Sequence, residues 1–439
     1  MPFQLDPTFA QDPAKHFDTL QIHAGLEPDP TTGAAALPVY ASAAFQFDSA
    51  PDAAAKFALS KPGNVYGRLT NTTTDAVAAR VAAIEGATGA VAVASGHAAE
   101  ILALTNIVGA GDHIVASDSL YGGTWNIFLH TLGDLGVETT FVENNDIDAF
   151  VAATKENTKL WYVETIGNPL VDVADVPAIV EAANSLKEPV PVFVDNTFAT
   201  PYLYRPADDG AAVVIESLTK WIGGHGATLG GAVVDTGKFD WKKTPGKFPT
   251  LTEPDPSYHG LVFADAAPAA PFSTRVLANK LRDFGPTLSP YAAQLIGIGI
   301  ETLSLRAQRH SDNALAVAKY LESHPKVSWV RYSGLENDPS HEVASRILHN
   351  GFGGVVVFGV KGGREAGLKV VDNVKLFTHL ANVGDAKSLI IHPASTTHSQ
   401  LTPEQLKAAH LTEDLIRLSV GIENVDDIIA DLDQALENA

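Results

Sequence analysis

Short apolar runs alternate with helical patterns through the first half of the chain. The apolar runs are rich in Val, Ile and Ala, which favours buried strands, and they lie at Ala90–Ala94, His113–Ala116, Val137–Val142, Leu160–Glu164, Val190–Asp195, Ala212–Ser217 and Gly231–Asp235. Between and before them, apolar residues recur at helical spacing at Ala76–Glu85, His97–Val108, Thr124–Leu135, Ile147–Lys155 and Val176–Leu186. This alternation predicts an α/β fold with a mostly parallel central sheet flanked by helices.

The segments outside this region have other patterns. Residues 1–60 are rich in Pro, Asp, Thr and Ala, and they predict an irregular N-terminal arm lying on a neighbouring subunit. The Pro-, Asp- and Gly-rich stretch Trp241–Pro271 resembles a loop-like insertion or a lid. One long helix is predicted from Tyr291 to Ser323, followed by a smaller α+β unit. The predicted parts are therefore an arm at 1–60, a large domain at 61–288 and a C-terminal small domain at 289–439.

Composition and charge narrow the classes of function. The chain has 51 acidic and 30 basic residues, a formal net charge of −21, which disfavours nucleic acids and anionic membranes as partners. It has no cysteine, which excludes disulfides, zinc–thiolate sites, iron–sulfur clusters and thiol nucleophiles, and we predict no metal site. Without a signal-peptide pattern or an apolar run of about 20 residues, we expect a soluble cytoplasmic protein.

Candidate chemistry lies just after the predicted strands, because parallel sheets bind ligands beyond the carboxyl ends of their strands. Ser95-Gly96-His97 joins a strand to a helix, and the free N–H groups of a helix N-terminus bind anions. Ser95 could equally be a simple helix cap, and a hydrolase that uses Ser95 as its nucleophile is a third interpretation. The flanking residues Val93 and His97 do not match the G-x-S-x-G pattern that such a nucleophile needs.

Lys220 follows another predicted strand and precedes a Gly-rich segment. A lysine at this place could form a Schiff base with an aldehyde cofactor, while Ser217 and Thr219 could hold its phosphate. Asp195, which ends a strand, could pair with a protonated pyridine nitrogen, and Tyr121 could stack on a planar ring. A surface lysine, a turn-capping aspartate and a packed turn tyrosine are the ordinary alternatives for these residues taken singly.

Arginine and tyrosine residues supply the remaining candidates. Arg417 alternates with Ile416 and Leu418 on a predicted strand, and its guanidinium would suit a substrate carboxylate or a structural salt bridge. Tyr66 and Arg68 could hold a phosphate from an extended segment. A cofactor-free binding protein is a further alternative. The many polar residues that collect at strand ends disfavour it.

The Ser217-x-Thr219-Lys220 motif and its Gly-rich tail resemble the lysine motif of the Cys/Met-metabolism enzymes, a pyridoxal 5′-phosphate (PLP)-dependent family of fold type I. Ordered motifs that match this family span nearly the whole chain, at His23–Gly25, Tyr66–Arg68, Ser95–His97, Leu120–Thr124, Glu164–Pro169, Asp195–Phe198, His392–His398 and Arg417–Glu423. The resemblance implies the PLP-dependent transferase fold, PLP as cofactor and residues 61–288 as the PLP-binding domain.

The resemblance also implies a role for each matching position. Lys220 would bind the cofactor covalently and carry protons, Asp195 would pair with the ring nitrogen, and Tyr121 would stack on the ring. The implied contacts to the rest of the cofactor come from Ser95, Gly96, His97, Thr197, Ser217 and Thr219, with Tyr66 and Arg68 reaching the phosphate of a neighbouring subunit. The implied substrate-binding residues are Arg417, Asn168, Tyr66 and the backbone of Ser388. Such shared sites imply a dimer at least, and usually a tetramer.

Within the family, three features resemble the O-acetylhomoserine sulfhydrylases. They are the insertion Lys238–Val262, the segments Gly384–Leu389 and His398–Leu401, and Gly123 where methionine γ-lyases typically have cysteine. This resemblance implies a γ-replacement in which O-acetyl-L-homoserine and sulfide give L-homocysteine and acetate. Cystathionine γ-synthase, cystathionine lyase and methionine γ-lyase reactions stay open as alternatives on the same scaffold.

Overall fold

The structure is a computed structural model that describes residues 15–26, 28–29, 31–396 and 411–439. The expectations for residues 1–14 of the arm and for the His398–Leu401 segment therefore lie outside the described residues. Across the described ranges, no helix combines the length and the apolar character that crossing a membrane requires.

A seven-stranded sheet forms the centre of the large part, in the order β1-β7-β6-β5-β4-β2-β3. Its strands are β1 Gly89–Val93, β2 His113–Ser117, β3 Glu138–Val142, β4 Thr158–Glu164, β5 Val192–Asp195, β6 Val213–Glu216 and β7 Gly231–Asp235. Strands β2 to β6 pair in parallel, whereas β7 runs antiparallel to both β6 and β1. This arrangement confirms the predicted α/β fold with a mostly parallel sheet.

Helices surround this sheet and cover its faces. They are α1 Phe17–His23, α2 Ala50–Phe57, α3 Thr72–Ile84, α4 Gly96–Ile107, α5 Gly122–Asn126, a π-helical turn Ile127–Thr131, α6 Leu132–Asp134, α7 Ile147–Ala153, α8 Val176–Ser185 and α9 Thr200–Leu203. Because helices pack on both faces, the central strands are buried on both faces, and this explains their continuous apolar runs. The register pairs Glu164 with Asp195, which brings the carboxyl ends of β4 and β5 side by side.

The stretch predicted as a loop-like insertion or lid packs into the core instead. It contains the short helices α10 Pro249–Thr252 and α11 Phe263–Ala266. The elements that follow it are α12 Pro271–Arg275, a π-helical turn Val276–Leu281 and α13 Arg282–Phe284. Trp241, Phe248 and Phe263 are all buried in one apolar cluster with Phe272. The ring of Trp241 stacks on that of Phe272, with centroids 5.2 Å apart. Their burial makes this segment part of the core rather than a mobile cover.

The predicted long helix is two helices, α14 Pro290–Ile300 and α15 Leu303–Ser323. Arg306 stabilises the break between them, because its guanidinium donates hydrogen bonds to the carbonyl of Gly299 (2.6 Å) and to the hydroxyl of Thr302 (3.2 Å). The same guanidinium also donates to the carbonyl of Trp221 at 2.6 Å. The break is therefore fixed by local contacts together with a contact that is distant in sequence, to Trp221.

A five-stranded sheet forms the C-terminal part, in the order β10-β11-β12-β9-β8. Its elements are β8 Val327–Arg331, α16 His341–Ile347, β9 Val355–Val360, α17 Gly363–Asn373, β10 Thr378–His379, β11 Leu389–Ile391, β12 Leu415–Ser419 and α18 Val425–Glu437. Apolar side chains of α15, α17 and α18 pack on this sheet in a cluster of their own. Strand β12 brings Arg417 towards the large sheet, as the alternation of its sequence predicts.

Candidate active site

A cavity of about 260 Å³ lies at the carboxyl ends of the parallel strands of the large sheet, where segment 381–383 and strand β12 of the C-terminal part close over it. Most of the predicted site residues line this cavity: Ser95, Gly96, His97, Tyr121, Asn168, Asp195, Thr197, Ser217, Thr219, Lys220 and Arg417. The rule that such sheets bind ligands beyond their strand ends therefore located the cavity correctly.

The N-terminus of α4 forms one corner of the cavity. The hydroxyl of Ser95 caps this helix by accepting a hydrogen bond from the N–H of Ala98 at 3.1 Å. A Cβ atom on Gly96 would lie 2.8 Å from Cβ of Ser217, so only glycine lets these two backbones approach so closely. The free N–H groups and the hydroxyls beside them fit the phosphate of PLP.

The backbone around Ser217 and Thr219 is held in place by hydroxyl groups. The N–H of Ser217 donates to the hydroxyl of Thr197 at 2.9 Å. The Thr219 hydroxyl accepts from the N–H of Gly230 at 3.0 Å and donates to its carbonyl at 3.1 Å. These bonds fix the turn that leads from β6 to Lys220.

Lys220 projects into the cavity next to Arg417. Its Nζ donates a 2.6 Å hydrogen bond to Oδ1 of Asn382. Desolvation, together with the positive charge of Arg417, lowers the pKa of Lys220 to about 8. A larger share of the amine is therefore neutral near physiological pH, and a neutral amine is what covalent bonding to an aldehyde requires.

Three carboxyl groups also line the cavity, those of Glu100, Glu164 and Asp195. Asp195 accepts a 2.9 Å hydrogen bond from the N–H of Thr197 at Oδ1, and desolvation raises its pKa. The pKa of Glu164 and that of Glu100 are also raised, chiefly by burial. No cation of the described ranges pairs with Asp195, so its carboxylate is free to pair with the protonated ring nitrogen of PLP.

Tyr121 and His97 stand over the cavity with their rings 5.5 Å apart and inclined at 31°. The N–H of Tyr121 donates to Oε1 of Glu164 at 2.6 Å, which anchors the tyrosine backbone, while the residue as a whole stays 46% exposed. A ring anchored in this way, with an open face, fits stacking on a planar cofactor.

Arg417 and Asn168 form the substrate side of the cavity. Nη1 of Arg417 donates to Oδ1 of Asn168 at 2.9 Å. Burial lowers the pKa of Arg417 to about 10, and no carboxylate among the described residues pairs with it. A buried guanidinium with unused donors can therefore take up the carboxylate of a ligand.

Three predicted site residues do not join this cavity. Tyr66 is 43% exposed. The guanidinium of Arg68 lies 5.3 Å from the centre of the Tyr66 ring, and it donates a hydrogen bond to the carbonyl of Arg282. Ser388 is buried, with its N–H donating to Oε1 of Glu423 at 2.7 Å and its hydroxyl donating to Oε2 at 2.9 Å. The cavity of a single chain therefore contains neither Tyr66 nor Arg68, and the N–H of Ser388 has an internal partner.

Other lining residues were missed by the sequence reasoning, notably Glu100, Asn382 and Phe198. Glu100 gave a signal, since it interrupts the apolar run Ala98–Leu102 at the start of a buried helix. Asn382 gave none, because it lies in a connecting segment whose place over Lys220 depends on the contact between the two sheets.

Known proteins resemble this chain over nearly its whole length. The chain is 50% identical over 427 residues to the homocysteine synthase of Schizosaccharomyces pombe, covering 97% of this chain and 99% of that protein. It is 48% identical to the O-acetyl-L-homoserine sulfhydrylase of Leptospira meyeri, covering 96% of each. A Campylobacter jejuni crystal structure containing N′-pyridoxyl-lysine-5′-monophosphate is 39% identical and superposes with a TM-score of 0.92, covering 96% of this chain and 100% of that one.

The family model described as Cys/Met metabolism PLP-dependent enzyme matches residues 18–437, almost the entire chain. PLP is the cofactor of this family. The N-terminus of α4 fits its phosphate, the amine of Lys220 fits its aldehyde, and the carboxylate of Asp195 fits its ring nitrogen. The chain belongs to the Cys/Met-metabolism family of PLP-dependent enzymes.

Proposed function

We propose that this enzyme converts O-acetyl-L-homoserine and sulfide into L-homocysteine and acetate, the direct sulfhydrylation step of methionine biosynthesis. The observation that carries the proposal is that Lys220, Asp195 and Arg417 line the same cavity. The amine of Lys220 suits an aldehyde cofactor, the carboxylate of Asp195 suits the ring nitrogen of that cofactor, and the guanidinium of Arg417 suits an amino-acid carboxylate. Relatives named homocysteine synthase and O-acetyl-L-homoserine sulfhydrylase, which align over nearly the whole chain, support this choice of substrates.

Bound PLP supplies an electron sink that makes the protons next to the amino group of the substrate acidic. Arg417 and Asn168 hold the α-carboxylate and so orient the Cα–H bond towards the cavity. The amine of Lys220 removes the proton from Cα and returns it later, and the Tyr121 hydroxyl is the second group placed to move protons. Asp195 keeps the proton on the ring nitrogen throughout.

The net reaction exchanges one substituent at Cγ. The bond from Cγ to the acetate oxygen breaks and acetate leaves with the electron pair, after a proton has been lost from Cβ. A bond from sulfide to Cγ then forms, and the protons return to Cβ and Cα. No oxidant or reductant is needed, because each electron pair that leaves with acetate is replaced by one from sulfide.

The same proposal includes a homo-oligomer with shared active sites. The positions of Tyr66 and Arg68 outside the cavity of their own chain support a contact with the cofactor phosphate of a neighbouring subunit. Residues 1–60 would be the arm that contacts this neighbour, 61–288 the PLP-binding domain and 289–439 the small domain. A dimer is the minimum and a tetramer the expected assembly, in the cytoplasm.

A product assay tests the proposal. Purified enzyme is supplied with O-acetyl-L-homoserine or O-succinyl-L-homoserine, each with sulfide or cysteine, and homocysteine, cystathionine and 2-oxobutyrate are measured. Homocysteine formed preferentially from the acetyl ester and sulfide is the expected result. Cystathionine as the main product would indicate a cystathionine γ-synthase instead, and 2-oxobutyrate would indicate a lyase.

The variant Lys220→Ala provides the matched control for this assay. It should lose turnover and also the visible absorbance of the lysine-bound cofactor. If the variant kept wild-type turnover, Lys220 would not be the catalytic lysine.

A further inference from the structure

Four polar side chains are completely buried behind the cavity, and they are Thr165, Asn196, Glu216 and Glu85. None of them is among the residues that line the cavity. The first three are direct neighbours in the chain of Glu164, Asp195 and Ser217, which do line it. Successive side chains of an extended chain face opposite sides of the sheet. A contact that holds one of the buried residues therefore also fixes its neighbour that lines the cavity.

Asn196 is the centre of this rear network. Its Oδ1 accepts a 2.8 Å hydrogen bond from the hydroxyl of Thr165, so the ends of β4 and β5 are joined. Its Nδ2 donates to Oε1 of Glu85 at 3.3 Å and to the carbonyl of Tyr204 at 2.9 Å. The amide therefore links Asp195, through the adjoining peptide, to a carboxyl group at the end of α3.

Glu85 and Glu216 face each other in this buried space. Oε2 of Glu85 and both carboxyl oxygens of Glu216 have no hydrogen-bond donor among the described residues. Two ionised carboxylates offer only acceptors, whereas a single proton on one of them creates a donor that the other can accept. The two carboxyl groups interact directly, with the amide of Asn196 beside both of them.

The charges around the pair favour retention of that proton. Arg205 faces Glu85, but its guanidinium is already paired with Asp208, at 2.8 Å. Asp195 faces Glu216 and adds a like charge from the cavity side. Burial, which is the largest cause in both cases, raises the pKa of Glu85 and that of Glu216.

We propose that Glu85 and Glu216 share one proton and act as positioning residues, which hold the strand ends that carry Asp195 and Ser217 in the geometry that retains PLP. The inference rests on the proposed function, since Asp195 and Ser217 matter in this way only where they hold that cofactor. Loss of the shared proton at alkaline pH sets two carboxylates against each other in a space without water, and the hold on both strand ends weakens.

The test measures the rate at which the holoenzyme releases PLP, followed by the loss of cofactor absorbance in the presence of a trapping agent, from about pH 6 to about pH 9. The variant Glu216→Gln keeps a donor for Glu85 and has no proton to lose. It should release PLP at the wild-type rate near neutral pH, within about twofold, and more slowly than wild type at alkaline pH. Glu216→Ala lacks the donor, and it should release PLP at least about tenfold faster at neutral pH.

Asp235→Asn is the matched control. Asp235 is another buried acid with a raised pKa, but it pairs with Val213 at the far end of β6 from Glu216. This variant can alter stability, yet its release rate should depend on pH as that of wild type does. Thermal unfolding of each variant, with and without PLP, separates a general loss of stability from a specific loss of the cofactor.

Two results would overturn the inference while leaving the proposed function intact. One is wild-type release by Glu216→Ala at every pH. The other is a release profile of Glu216→Gln that rises with pH as steeply as that of wild type. Failure of the wild-type protein to bind PLP at all would instead contradict the proposed function.

Discussion

Nζ of Lys220 and Oδ1 of Asn382 lie 2.6 Å apart, and this hydrogen bond crosses from the large part of the chain to the C-terminal part. Lys220 follows strand β6 of the seven-stranded sheet, whereas Asn382 lies between strands β10 and β11 of the five-stranded sheet. The position of the Lys220 amine therefore depends on how the two parts of the chain meet.

Removal of the Asn382 amide should release the lysine amine from its fixed direction. The variant Asn382→Ala is expected to lower kcat by about tenfold with a small change in KM, since one hydrogen bond to a charged or reactive amine contributes on this scale. Steady-state kinetics with O-acetyl-L-homoserine provide the measurement. Asn373→Ala is the control, because that side-chain amide donates only to the carbonyl of Lys369, in an exposed hydrogen bond at the end of α17. A change in KM alone would show that Asn382 contacts substrate instead.

Arg417 should recognise substrate through the geometry of its guanidinium and not through charge alone. Arg417→Lys keeps the charge but cannot form two parallel hydrogen bonds or keep the bond to Asn168, so kcat/KM should fall by about 10- to 100-fold. The release rate of PLP should not change. Arg364→Lys, at an exposed ion pair with Glu413, is the control. Wild-type kcat/KM in Arg417→Lys would exclude the proposed carboxylate contact.

Glu100 should make the stability of the cofactor-free enzyme depend on pH. Burial, with a contribution from Asp195, raises the pKa of Glu100 to about 8 from its usual 4.5. An acid whose pKa is higher in the folded state destabilises the fold as pH rises between these two values, because the folded protein then binds more protons than the unfolded one. Glu100→Gln is always neutral, so it should be more stable than wild type above about pH 8, by about 2–4 kcal/mol.

Chemical denaturation between about pH 5 and about pH 9 measures this difference. At the acid end, wild type and Glu100→Gln should have similar free energies of unfolding. Glu437→Gln changes an exposed acid of α18 and should leave the profile unaltered. Parallel profiles for wild type and Glu100→Gln would mean that Glu100 is already ionised in the folded protein.

The sequence predicted the elements whose pattern is local. Strands β2 and β4 to β7 are largely buried and so appear as continuous apolar runs, and Asp195 ends one of these strands while Lys220 follows another after a short turn. The short strands β10 and β11 have two and three residues, too few for a period to show.

Features set by distant contacts could not be read from sequence in the same way. The break between α14 and α15 depends on Arg306, which reaches the carbonyl of Trp221. The burial of segment Trp241–Pro271 depends on aromatic rings that meet only after folding, such as those of Trp241 and Phe272. Asn382 joins the site for the same reason, because its place over Lys220 is a tertiary contact.

The close approach of Gly96 to Ser217 gives the sharpest steric prediction. In Gly96→Ala, the new Cβ would lie 2.8 Å from Cβ of Ser217, so the N-terminus of α4 and the turn before Lys220 must move apart. If both elements hold the cofactor phosphate, as proposed, the affinity for PLP should therefore fall by about tenfold or more. Gly133→Ala is the matched control, since a Cβ at Gly133 in α6 would have no neighbour within 4 Å. Spectroscopic titration of both variants with PLP compares them directly, and equal affinities would show that the α4 corner does not hold the phosphate.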